Sequence, residues 1–218
     1  MRLAGARPIG HREAVTKPTS CALCEDPLTQ GHDLVGGLAL CQRCYLGDLQ
    51  RVAQLRGWSL KSRQYEVYRS RDHDQRTLVT EVRIVIVAQP ALRLRAQRFR
   101  LWMVLLGLLH GRARSSDSLF EAKVRVWTRG PAQAEAFMKR EGVESSLFDV
   151  LGDLPLSDAE IQSENVRVDY YSEDPHSEGE IVARVAVLAL HVERFAAADG
   201  VQAPPAPASL YGRPSGPG

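Results

Sequence analysis

The chain has 218 residues, 44% of them apolar, and a formal net charge of +2 from 28 basic and 26 acidic side chains. That apolar share builds a packed core and excludes wholesale disorder, and the near-balanced charge excludes nucleic-acid binding by bulk charge alone. No apolar run approaches the roughly 20 residues a bilayer span needs, and Pro8, Gly10, His11, Arg12 and Glu13 stand where a secretory apolar region would lie. These features read as a cytoplasmic protein.

Residues 1–18 carry Gly5, Pro8, Gly10 and Pro18 among scattered arginines and read as a flexible arm. Next come all four cysteines. Cys21-Ala-Leu-Cys24 is followed, sixteen residues later, by Cys41-Gln-Arg-Cys44. A two-residue gap turns both sulfurs of a pair toward one ion, and two such turns supply a tetrahedron of thiolates, the donor set zinc takes in structural sites. Between the pairs, Asp26-Pro27 turns the chain, and Leu34-Val35 and Leu38-Ala39-Leu40 form the arms of a hairpin around Gly36-Gly37. Cys41 to Arg56 reads as a helix, with Leu46, Leu49, Val52, Ala53 and Leu55 apolar and Gly57 as its stop.

Knuckle, hairpin, then a second knuckle opening a helix is the plan of a treble-clef zinc finger, which residues 18–57 resemble; in spacing they also resemble one half of a LIM module. The resemblance implies one structural Zn2+ per chain on Cys21, Cys24, Cys41 and Cys44. It selects no function, because such fingers bind nucleic acid, bind protein or simply support a fold. Two disulfides or a redox pair are the other uses of four cysteines. His32, inside the loop, is a competing ligand or a solvent-facing histidine.

Beyond the finger we expect an α+β domain over residues 62–198, with an antiparallel or mixed sheet and helices packed on one face. Residues 64–70 and 77–88 alternate as the two strands of a hairpin. Residues 91–110 read as a helix, basic in its first half (Arg93, Arg95, Arg98, Arg100) and apolar from Leu101 to Leu109. That helix is buried in the domain, sits in a protein interface, or lies in a membrane surface through 99–109. Residues 111–118 read as a loop, Phe120 to Thr128 as a strand, residues 131–151 as helix interrupted at Gly142, 154–164 as a connection, and 165–171 as a strand. Glu180 to Phe195 reads as another long strand, with Ala183, Val185, Val187, Ala189 and His191 on one side and alternate residues from Val182 to Val192 on the other, though its alanine and leucine also suit a partly helical segment. Residues 201–218, with Pro204, Pro205, Pro207, Pro214 and Pro217, read as a disordered tail. The run from Phe120 to Tyr170 is faintly similar to segments of uncharacterised bacterial α+β proteins, a likeness that implies no activity.

Charge is unevenly spread: residues 61–118 hold 12 basic and 5 acidic side chains, residues 119–218 hold 9 and 16. No nucleotide-binding, hydrolase or metalloprotease motif occurs, and no cysteine is left over as a nucleophile. His73, between Asp72 and Asp74, and His176, near Asp174 and Glu178, are the histidines with acidic neighbours. The leading reading is a zinc-binding interaction or structural protein that contacts a protein partner, or a second copy, through finger and domain. A nucleic-acid-binding module using the basic 61–118 region and an enzyme with a non-local site are the alternatives.

Overall fold

The computed structural model describes residues 18–28, 32–68, 76–87, 92–98, 111–151, 157–162, 164–172 and 177–198. A short hairpin comes first, β1 (Asp33–Val35) and β2 (Leu38–Leu40), then α1 (Gln42–Tyr45) and α2 (Gln50–Arg56). The expected single helix over 41–56 is therefore two: Gly47 takes φ +83° and turns the chain between them. Next are β3 (Ser59–Tyr68), β4 (Arg76–Val85), β5 (Arg93–Arg98), β6 (Gly111–Ala113), α3 (Ser118–Lys123) and β7 (Val124–Thr128). The chain continues as α4 (Pro131–Met138), α5 (Val143–Leu151), β8 (Asp158–Gln162), β9 (Asn165–Ser172) and α6 (Glu178–Ala198).

Strands β3 to β9 form one seven-stranded sheet in the order β3-β4-β9-β8-β5-β7-β6. Every pairing is antiparallel. Its inner face is set by period-two alternation: Val82, Ile84, Val166, Val168, Ile161, Leu94, Ala96 and Val126 are all buried. Helices α5 and α6 cover that face, α6 lying against β3, β4 and β9, and α5 against β5, β8 and β9. The expectation of an α+β chain with helices on one face holds.

Several elements differ from expectation. Glu180–Phe195 is not a strand but most of α6, a helix of 21 residues. Its apolar residues point in every direction because it is buried on two sides, by the sheet and by the cysteine-bearing segment, so its sequence lacks a polar face and mimics a buried strand. The decisive signal lies at its start. Ser177 and Glu180 have capping-box spacing, and the Glu180 amide donates to Ser177 Oγ at 3.2 Å. Residues 93–98 are strand and not helix, alternating Leu94 and Ala96 inward with Arg93 and Arg95 outward; residues 99–110 lie outside the described residues. The expected strand over 120–128 begins as helix, because Asp117 caps α3 by accepting from the amides of Leu119 and Phe120 at 2.7 and 3.3 Å. Two segments expected as loop or connection, 111–118 and 154–164, each contain a strand, β6 and β8. Both are short, and short strands carry little periodicity.

Glycines show how closely the N-terminal segment meets the domain. A Cβ on Gly47 would lie 2.5 Å from Gly179 Cα at the start of α6, whereas one on Gly37, also at positive φ (+76°), would meet nothing. We predict that Gly47→Ala destabilises the protein by about 3 kcal/mol, combining left-handed strain with overpacking. Gly37→Ala should cost only the strain, about 1 kcal/mol. Urea unfolding of the two variants checks the difference.

Candidate metal centre

The two CxxC pairs meet at one point. The sulfurs of Cys21, Cys24, Cys41 and Cys44 all lie within 4.8 Å of one another. Cys24 Sγ and Cys41 Sγ are 3.7 Å apart, close to the roughly 3.8 Å edge of a tetrahedron with 2.3 Å zinc–sulfur bonds and well beyond a disulfide. Local turns make the cluster. In the first knuckle Cys21 N donates to Asp26 O (2.8 Å) and Glu25 N to Cys21 O (3.0 Å), and Glu25 takes φ +64° to close the turn. In the second, Cys41 is the N-cap of α1, which turns Cys44 back toward the first pair.

Donors already point at the sulfurs. The Cys21 thiol is pushed down to about 4, chiefly by a hydrogen bond from Cys44 and further by amides of Cys24, Cys41 and Leu23. Burial pushes the Cys24 thiol up to about 12. Cys44 is also pushed up, first by the hydrogen bond it gives to Cys21 and then by burial. Negative charge is thus best stabilised on Cys21, and a soft divalent cation bound by all four sulfurs would displace the remaining protons. Three of the four sulfur residues are buried, and no open coordination position is left for substrate once four thiolates bind. The set can coordinate a metal ion. His32 is exposed and stands outside the cluster; His73 and His176 lie outside the described residues.

The cluster is fastened to the domain by residues that spacing alone does not reveal. Arg56, at the end of α2, is 16% exposed and reaches in two directions. Its Nη1 donates to Glu193 Oε2 of α6 at 3.0 Å, while Nε and Nη2 donate to the carbonyls of Leu23 and Ala22, at 3.2 and 3.3 Å, inside the first knuckle. Its guanidinium also lies 5.7 Å from the centre of the Trp58 ring. Only a planar fork of five donors can serve the knuckle and the helix together. On the hairpin side, Gly36 N donates to Asp149 Oδ2 of α5 at 2.8 Å, and a Cβ on Gly36 would strike Ser146 Oγ. Tyr45 hydroxyl donates to Glu180 Oε1 at 3.3 Å. Buried cysteines and the sheet's inner residues belong to one continuous apolar core.

His191 lies at this joint, 7% exposed, against Gly36, Gly142 and the cleft that Arg140, Glu141 and Arg194 border. Burial, and then the charge of Arg194, push it down to about 4, while a hydrogen bond with the Gly36 backbone pulls the other way.

Two predictions follow from the joint. Arg56→Ala should destabilise the protein by about 2–4 kcal/mol, because two carbonyls and Glu193 lose their donor together, and Arg56→Lys should recover less than half of it; chemical denaturation reads both. His191 is neutral in the folded chain down to about pH 4, whereas the unfolded chain protonates it below 6.5. Its contribution is therefore fully present above pH 6.5 and is lost as pH falls toward 4, by about 3 kcal/mol at most. His191→Gln should flatten that part of the stability–pH curve relative to wild type.

Set against known protein families, curated proteins and solved structures, the chain matches none.

Proposed function

We propose that the protein is a zinc-stabilised binding protein: Cys21, Cys24, Cys41 and Cys44 hold one structural Zn2+ in a finger of treble-clef type, and the finger serves the fold. The observation that carries this is the convergence of four sulfurs, all within 4.8 Å of one another, within a core continuous with the sheet. Thiolates are the soft donors that favour zinc, and a closed set of four supports structure in preference to catalysis. Through Arg56, Gly36 and Gly47 the finger presses on α6, and α6 in turn covers the inner face of the sheet. The ion's product is then a rigid platform, and a binding partner is the use such a platform has. No helix among the described residues is long and apolar enough to cross a membrane.

Elemental mass spectrometry of protein purified without added metal should find about one zinc per chain. Cys24→Ser and Cys41→Ser should each lower zinc content and melting temperature. Because finger and domain share a core, the loss should extend to hydrogen exchange in α6 and β4. A metal-free wild-type protein, or variants with unchanged melting, would overturn the proposal.

A further inference from the structure

The outer face of the sheet, turned away from α5 and α6, carries its charges in rows. Strand register sets Lys61, Arg83, Arg167 and Glu160 opposite one another in turn, one from each of β3, β4, β9 and β8. The same row continues through Arg95, Trp127 and Arg112 on β5, β7 and β6. At about 4.8 Å per strand it runs roughly 29 Å across the whole sheet. Like charges directly opposite one another destabilise a sheet, and here Arg83 has Lys61 on one side and Arg167 on the other. Stability alone does not account for such a row.

The neighbouring rows are unequal. On one side stand Glu81, Asp169 and Asp158, which take up Arg63, Arg167 and Arg95 at 2.7, 3.1 and 2.7 Å. On the other side the row is Ser59, Val85, Asn165, Gln162 and Arg93, with no carboxylate. Along this border Arg83 donates to Asn165 Oδ1 (2.9 Å), its one hydrogen bond among the described residues. Lys61, Arg93 and Arg129 are exposed and make no ion pair among the described residues. Arg93, Arg129, Arg95, Gln162 and the half-buried Trp127 line an open groove of about 580 Å³ together with one carboxylate, Glu160, to which Gln162 Nε2 donates at 2.5 Å.

We propose that this face binds single-stranded nucleic acid, with phosphates on Arg83, Arg93 and Arg129 and a base stacked on Trp127. The cations supply a backbone track and the indole a platform, the pairing by which sheets hold unpaired strands. Gln162 and Asn165, two and three strands from Trp127, add amides along the track. A duplex keeps its bases stacked inside and offers Trp127 none, and an acidic polypeptide offers charge without planar rings. The inference goes beyond structural zinc and uses none of the finger's residues, so the two readings fail separately.

The test is fluorescence anisotropy of the full-length, as-purified protein with labelled oligo-U and oligo-dT, in salt from about 50 to 200 mM. A duplex of the same length and poly-glutamate serve as competitors. We expect binding to single strands that weakens with salt at a log–log slope of about −2, from three phosphate contacts. Arg93→Glu with Arg129→Glu should weaken it at least about tenfold, and Trp127→Ala about tenfold. Lys139→Glu, exposed after α4, should leave it unchanged. Arg93, Arg129 and Lys139 are exposed and Trp127 is half-buried, and an unaltered circular dichroism spectrum confirms the fold of each variant. Absence of binding at the lowest salt, equal affinity for duplex or poly-glutamate, or binding that survives the arginine and Trp127 substitutions would each overturn the proposal.

Discussion

A helix with no face left for water holds this structure together. Along α6, Ile181, Val182, Ala183 and Val185 through Val192 are all buried, so every side of the cylinder meets protein. A single layer of sheet can bury only one stripe of a helix. The opposite stripe needs a second cover, and the N-terminal cysteine segment supplies it. Sheet, helices and cysteine segment thus form three successive layers, and the middle one is satisfied only when both neighbours are present. This explains why the close approaches cluster there: Gly36 on Ser146, Gly47 on Gly179, and Arg56 on Glu193.

The same constraint gives the metal centre its place in the energetics. Residues 18–57 contain few regular elements and a three-residue-per-strand hairpin, too little to bury a core unaided. A metal ion on the four sulfurs, as proposed above, would compensate, and Arg56 links that segment to α6 through hydrogen bonds to knuckle carbonyls on one side and a carboxylate on the other. The sulfurs are the anchor, and the arginine is the coupling.

Much of this was legible before any coordinates. Paired cysteine spacing located the cluster, alternation of β-branched residues located β4 and β9, and a weaker alternation before the turn suggested the hairpin of β3 with β4. What escaped has identifiable causes. In α6 the apolar pattern follows burial on two sides and hides the helical period, although the Ser177–Glu180 capping spacing was there to be read. In β5 the arginines on either side of Leu94 suggested a basic helix, because a strand with two cations on its outer face looks unfavourable until its neighbours in the sheet are known. Arg56 carried no motif at all; its importance comes from two partners on distant elements. The charged row on the outer face was equally hidden, since its members come from seven strands and only register aligns them.

The bond from Arg56 to Glu193 joins positions 137 residues apart. On the ribosome the cysteine knuckles emerge well before the helix that completes their environment. Contacts of such long sequence separation form slowly, because the intervening loop must close first. In the interval the early segment has to keep its shape with an apolar side uncovered. A cation captured by the cysteine segment would hold that shape until α6 arrives, so a cross-link made ahead of its covering helix suits the order of synthesis.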